Sequence, residues 1–197
     1  MLKEFKTSNV VVRKFELKDV KQAHLNFFNG NNCNSTANTI GNEMFQCENF
    51  EQARLIVKSA IKEYYTDEPI WAVEDKHKKK LVGFIRVSSY SKKNKICSIT
   101  WNMCCEYLEK HSMSEAFNKI FNFLFLKKGV ELIECSYYEH NSSTGIVLEE
   151  AGMIKEAVLR DRRVNEQTNE KENFVIYSIS KQEFLRNSGV EELKFFG

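Results

Sequence analysis

Three strand-like segments follow one another in the middle of the chain, at residues 70–74, 81–89 and 95–105, and a helix and a further strand come directly after them. No other feature constrains the fold as much. Consecutive strands joined by short turns pair antiparallel, whereas a strand, a helical crossover and a strand imply a parallel pair. A chain that contains both builds a mixed sheet.

The flanking segments extend this pattern. Residues 10–15 read as a first strand, and 19–28 as a helix with Val20, Ala23 and Phe27 on one face. Residues 29–42 are rich in Asn and carry Gly30 and Gly41, which favour turns and left-handed backbone, so they read as a long loop. Asn49 with Gln52 marks a helix start, and Phe50, Ala53, Ile56, Val57, Ala60, Ile61 and Tyr64 recur at helical spacing. Ser112 and Glu115 form a second capping signature, followed by Met113, Ala116, Phe117, Ile120, Phe121 and Leu124 on one face. Lys127, Lys128 and Gly129 suit a helix C-terminus. Residues 130–138 read as a strand, 142–151 as a short helix, and 153–163 with 173–180 as a closing antiparallel pair. The expected fold is α+β: a mixed, splayed sheet of six to seven strands flanked by about four helices. One domain over residues 1–197 is expected, with 181–197 as a C-terminal tail that packs on the domain or on a partner such as a second copy.

Composition narrows the function. There are 29 basic and 27 acidic side chains, so a basic face for nucleic acid is not expected. The dense basic run Lys76-His77-Lys78-Lys79-Lys80 falls between two strands and reads as a solvated hairpin turn, as does the charged stretch 160–163. No apolar run approaches the roughly 20 residues of a membrane span, and the first residues lack the apolar core of a signal peptide, so a cytoplasmic protein is expected. The six cysteines form no C-x-x-C pair, no histidine has zinc-ligand spacing, and neither disulfides nor a metal site are expected.

Local motifs add to the order of elements. Val11-Val12-Arg13 precedes Asp19-Val20; Ile70-Trp71-Ala72-Val73 precedes Leu81-Val82-Gly83-Phe84-Ile85; Met113-Ser114-Glu115-Ala116 opens the long helix; Asn141-Ser142-Ser143-Thr144 leads to Leu148-Glu149-Glu150-Ala151-Gly152-Met153. In this order and spacing, over roughly residues 8–184, the chain resembles the GNAT N-acetyltransferases, in particular the branch that includes the ribosomal-protein N-terminal acetyltransferases. The resemblance implies transfer of acetyl from acetyl-coenzyme A to a primary amine, either a protein N-terminus or a small molecule.

The resemblance also implies site residues. The cofactor's pantetheine arm would enter a gap between splayed strands and bond to the open edge around Trp101, Met103 and Cys104. Its pyrophosphate would lie over a helix N-terminus, at Lys110, His111, Ser112, Met113 and Ser114, where free N–H groups and the positive dipole end favour anions. The family's Gln/Arg-x-x-Gly-x-Gly/Ala loop is Glu106-Tyr107-Leu108-Glu109-Lys110-His111 here, with Glu109 and His111 in the glycine places. That departure favours a second reading, a non-catalytic GNAT-fold binding module. Asn141 would hold the arm. Thr144 stands where the family has Ser and would hydrogen-bond the departing thiolate. The family's tyrosine acid is replaced by Leu148. Glu134, Glu139 and His140 are candidates for the base that takes the amine's proton.

Overall fold

The computed structural model describes residues 4–25, 49–104, 107, 112–165 and 169–189. The chain runs through β1 (Phe5–Lys6), β2 (Val10–Arg13), a 3-10 turn (Leu17–Asp19) continuing into α1 (Val20–Ala23), and α2 (Phe50–Glu63). The central run is β3 (Ile70–Asp75), β4 (Leu81–Ser91) and β5 (Ile96–Met103), then α3 (Ser112–Lys127), β6 (Leu132–Tyr138) and α4 (Ser142–Glu150). It closes with β7 (Ile154–Val164), β8 (Lys171–Ser180) and α5 (Lys181–Asn187). The expected Asn-rich loop, the residues 105–106 and 108–111, and the aromatic end of the tail lie outside the described residues.

The eight strands of the described residues form one mixed sheet in the order β1-β2-β3-β4-β5-β6-β8-β7. Among the described residues only the β5–β6 pair is parallel, and α3 is its crossover. On one face α3 and α4 cover Trp71, Ile85, Ile99, Trp101, Ile133, Cys135 and Tyr137. On the other face Val20 and Ala23 of α1 and Ala53, Val57 and Ala60 of α2 cover Ile70, Ala72 and Phe84. Alternation along each strand thus sends successive side chains to different helices.

The sheet exceeds the expected six to seven strands by the short β1, which Thr7 sets up: its hydroxyl donates to the Val10 carbonyl at 3.0 Å. A fifth α-helix, α5, replaces the first part of the expected tail. Ser180 and Glu183 cap it reciprocally, with the Ser180 hydroxyl and amide both donating to the Glu183 carboxylate at 2.7 and 2.8 Å. Ser-x-x-Glu is a start signal legible in the sequence. The Asn49 start is as expected, its side chain accepting from the Gln52 amide at 3.0 Å. Glu115 is used differently: both its oxygens accept from Asn9, at 3.1 Å from the amide nitrogen and 2.9 Å from the side chain, which pins the β1–β2 turn to α3. The basic run turns between β3 and β4, with Asp75 Oδ1 accepting from the amides of His77 and Lys78.

Below the sheet end, Arg13 is buried between two carboxylates. Its guanidinium meets both oxygens of Asp19 at 2.8 Å and Glu74 Oε2 at 2.9 and 2.7 Å. Burial opposes the charge on Arg13, but the bonds and charges of Asp19 and Glu74 outweigh it and hold its pKa above the ordinary value. The network ties β2, β3 and the turn before α1 together. Among the described residues, no helix is long and apolar enough to cross a membrane.

Candidate active site

β5 and β6 pair only at Ile96–Leu132, Cys97–Ile133 and Ser98–Glu134. Beyond that point each strand stays with its outer neighbour. β5 remains zipped to β4 as far as Met103, and β6 to β8 as far as Tyr138. The two ladders pull the strands apart, and a bulge helps. The β4–β5 register slips between Val87 and Ser89, level with Ser98 and Ile99, where β5 leaves β6. A bulge bends its strand and strengthens the local twist. The gap borders residues 99–103 and 135–138, strand lengths of roughly 13–17 Å at ~3.3 Å per residue.

The gap has two chemically different faces. Towards α3 and α4 stand Ile99, Trp101, Met103, Cys135 and Tyr137, all buried in the core. Trp101 packs edge-on against Phe117, with ring centroids 5.5 Å apart. Its side chain therefore belongs to the core, and what β5 offers the gap here is backbone. Cys104 turns its amide to the Val82 carbonyl at 2.8 Å, back towards β4. On the α1/α2 face, pairing sets Asn102 beside Phe84 and Thr100 beside Arg86, and Glu134, Ser136 and Tyr138 alternate with the core residues of β6.

α4 starts at the open end of β6. Asn141 occupies its N-cap position, but its side chain makes no capping bond; its Oδ1 accepts from the Ser143 hydroxyl at 3.0 Å. Thr144 is 0 % exposed, and its Oγ1 has no partner. A buried polar atom without a partner is costly, and it is the expected state of a group awaiting a ligand. Ser112, Met113 and Ser114 open α3 and are buried. Gly83 brings this helix close: a Cβ there would stand 2.6 Å from the Asn102 carbonyl oxygen and 3.3 Å from Met113 Cε. Lys110 and His111 lie outside the described residues.

The candidate bases are at different ends of β6. Glu134 is partly buried at the vertex, where the parallel pairing ends. Glu139 lies beyond the far end and accepts from the Asn173 side chain at 2.7 Å. His140 Nδ1 lies 2.9 Å from Glu172. Arg163 completes a cluster there. It meets Glu172 at 2.7 Å and lies 3.9 Å over the Tyr138 ring, so it is more tightly held than a solvated hairpin residue would be. A surface cavity of about 570 Å³ lined by Phe5, Lys119, Asn122, Gly152, Phe184 and Asn187 contains none of these residues.

The family model described as Acetyltransferase (GNAT) domain matches residues 9–154. The chain belongs to this family. Solved structures agree in fold. A GNAT-family acetyltransferase from Bacillus anthracis is 20 % identical, with 91 % of this chain and 99 % of that one covered at a TM-score of 0.72. The ribosomal-protein-S5-alanine acetyltransferase from Vibrio fischeri is 17 % identical, with 92 % and 98 % covered at 0.72. The microcin C7 self-immunity acetyltransferase MccE, solved in complex with acetyl-CoA and AMP, is 17 % identical, with 88 % and 93 % covered at 0.70. No curated protein sequence matches the chain. As a GNAT protein, the chain is an acyl-coenzyme A-dependent N-acetyltransferase, and its acyl donor is acetyl-coenzyme A. The open β5 edge and the unpartnered Thr144 hydroxyl fit that donor.

Two consequences concern residues around the GNAT gap. Tyr137 belongs to the core, and its hydroxyl rests on Gly145, where a Cβ would meet it at 2.5 Å. Tyr177 Oη donates to Glu149 at 2.8 Å along the same side of α4. Gly145→Ala gains up to about 1 kcal/mol of helix propensity but overpacks this contact at a cost of about 1–3 kcal/mol. We expect the single variant to be destabilised and Tyr137→Phe to rescue it, since the next ring atom is 3.4 Å from the added carbon. Additive losses in a denaturation cycle would show that the hydroxyl is not the obstacle.

The second consequence concerns the thiols. Burial raises Cys97 and Cys135 from the ordinary 9.0 to about 12, with Glu134 adding to the shift at Cys97. Neither is a thiolate near neutrality, so neither is placed to act as a nucleophile. Both should resist iodoacetamide in the folded protein at about pH 8.5 and react in denaturant. The linked stability is complete below pH 9, and it is lost as the pH rises towards 12, because the unfolded thiols release their protons first. Rapid native labelling of either thiol would contradict this.

Proposed function

We propose that this chain moves the acetyl group of acetyl-coenzyme A to a primary amine by direct attack. The observation that carries the reading is the combination of an open strand edge with the fully buried, unpartnered Thr144 hydroxyl in the helix that follows β6. Bound acetyl-coenzyme A supplies an activated acetyl thioester. The edge of β5 beyond Ser98 that turns away from β4, together with Asn141, holds its arm. Ser112, Met113 and Ser114 receive its phosphates at the α3 N-terminus. Trp101 and Met103 contribute backbone, whereas the Cys104 amide is committed to the Val82 carbonyl.

The amine nitrogen forms a bond to the acetyl carbon, the bond from that carbon to sulfur breaks, and the amine's proton leaves to a base. Glu134 at the vertex is the better placed of the two carboxylates named from sequence, because Glu139 is engaged by Asn173. Thr144 Oγ1 donates to the sulfur as negative charge develops, and this interaction strengthens towards the transition state. Holding amine and thioester together supplies further acceleration.

A thiol-release assay over peptides with free N-termini, polyamines and aminoglycosides tests the reading. We expect coenzyme A release that depends on one amine class. Glu109 and His111 in the glycine places favour the second reading, a non-catalytic acyl-coenzyme A binding module. Silence throughout that panel would favour that module over the enzyme.

A further inference from the structure

The basic turn between β3 and β4 has no part in the steps described above. Lys76, Lys78, Lys79 and Lys80 stand close together in the sequence, and the last three are exposed. Among the described residues, Lys78, Lys79 and Lys80 join no ion pair. The turn itself is firmly built. Asp75 Oδ1 accepts from the His77 and Lys78 amides at 2.8 and 2.7 Å, and the Asp75 amide donates to the Lys80 carbonyl at 2.9 Å. Its place in the fold is specific. The start of β4 lies beside the end of β5, through the Gly83–Met103 pairing and the bond from the Cys104 amide to the Val82 carbonyl. Lys78 Nζ lies 5.5 Å from the ring centroid of the buried Tyr107, which stands between β5 and α3 in the sequence. The Lys76 amide donates to the Asn9 carbonyl at 2.9 Å, and Asn9 in turn is bound to Glu115 in the first turn of α3. The turn is thus fastened to the N-terminal end of α3.

That end of α3 is short of positive charge for a polyanionic ligand. Ser112, Met113 and Ser114 are neutral, and the acidic residue of the first turn is Glu115. The sequence between β5 and α3 adds Glu106 and Glu109 against Lys110. Coenzyme A carries a 3′-monophosphate besides its diphosphate, and a phosphomonoester holds about −1.5 to −2 charge near pH 7. Resting on the acetyl-transfer reading, we propose that Lys78, Lys79 and Lys80 bind the 3′-phosphate of the donor. The helix end offers the diphosphate N–H groups and a partial positive charge. The turn beside it supplies the full charges that this end lacks. A lysine ammonium is a compact charge on a flexible stem, and it meets a phosphate from many directions. Exposed charges act over about 8 Å at physiological salt, so the cations must stand near the bound phosphate, as those fastened to α3 through Asn9 do. The ligand selected is a thioester with a terminal monophosphate, over the same thioester without one.

The test compares acetyl-coenzyme A with acetyl-3′-dephospho-coenzyme A by calorimetry, in the full chain and in the combined variant Lys78→Gln, Lys79→Asn and Lys80→Gln. Asn suits position 79, where φ is 55°. The melting temperature should stay within about 2 °C of the parent, as for other surface substitutions. The parent should bind the dephospho ligand about 10- to 100-fold more weakly, the range of hydrogen bonds to a charged group. The variant should lose about the same factor towards acetyl-coenzyme A, and its two affinities should then agree within about twofold, as a coupled pair requires. Unchanged acetyl-coenzyme A affinity in the variant overturns the assignment. So does a loss shared equally by the two ligands, which would make the lysines a general field at the diphosphate. A lowered melting temperature would make them structural residues of the turn, and it also overturns the assignment. Absence of binding of either ligand by the parent contradicts the donor reading itself and takes the assignment with it, a failure distinct from the others.

Discussion

Arg13→Ala should destabilise the protein by about 3–5 kcal/mol, the cost of leaving buried charge without its partner. Arg13 is 7 % exposed, Asp19 2 % and Glu74 6 %, and the guanidinium is the shared partner of both carboxylates. Lys18 cannot replace it, since its ammonium lies 3.9 Å from Glu74 and is largely exposed. For a chain of this size the loss corresponds to a fall in Tm of about 10 °C. Asp19 also accepts from the Glu16 amide at 2.8 Å, so the turn into α1 should loosen with the network. Arg13→Met combined with Asp19→Asn and Glu74→Gln should recover much of the loss, because the charges leave together. A Tm within two or three degrees of the parent for Arg13→Ala, by calorimetry, would show that water enters and screens the pair (an expected shift of about 10 °C is well outside that).

The second large effect is chemical. Thr144→Val keeps the shape of the side chain and removes only the hydroxyl. Since that hydroxyl has no partner in the fold, stability should hold or rise slightly. Turnover should fall about 10- to 100-fold, somewhat less than the loss of a full oxyanion-hole donor, because a thiolate is a weaker acceptor than an alkoxide-like oxygen. Acetyl-coenzyme A affinity should change little, since the bond matters most once charge has developed on sulfur. Steady-state kinetics beside binding calorimetry separates the two. A variant with unaltered kcat would remove Thr144 from the chemistry, and a destabilised one would make it a structural residue.

Much of the fold is legible in the sequence because its signals are local. Asn49 with Gln52, Gly129 at positive φ and the Asp75 turn each act within a few residues, and each appears as expected. The parallel step at β5 and β6 is also legible, since the intervening residues 113–124 have helical period. What escaped is non-local or short. β1 is two residues long and exists through Thr7 and the clamp of Asn9 on Glu115, over 106 positions of sequence. The Arg13 network joins residues 61 positions apart. α5 carried a readable Ser180–Glu183 signal that its place after the last strand disguised.

The site divides in the same way. Asn141 and Thr144 were legible through a local motif. Thr100 and Asn102 were not, because in the sequence Ser98-Ile99-Thr100-Trp101-Asn102-Met103 reads as an ordinary half-exposed strand. Only the burial of both faces makes those polar residues unusual. The bulge at Ser88 carries no composition signal either, although it sits where the strands part.

The central claim is that the gap between β5 and β6 holds acetyl-coenzyme A. The most direct measurement is a calorimetric titration of the purified protein with acetyl-coenzyme A, beside the same titration of Asn141→Ala. The account predicts saturable binding with one site per chain, weakened by Asn141→Ala. Absence of binding heat, with no rise in melting temperature at millimolar ligand, would contradict it.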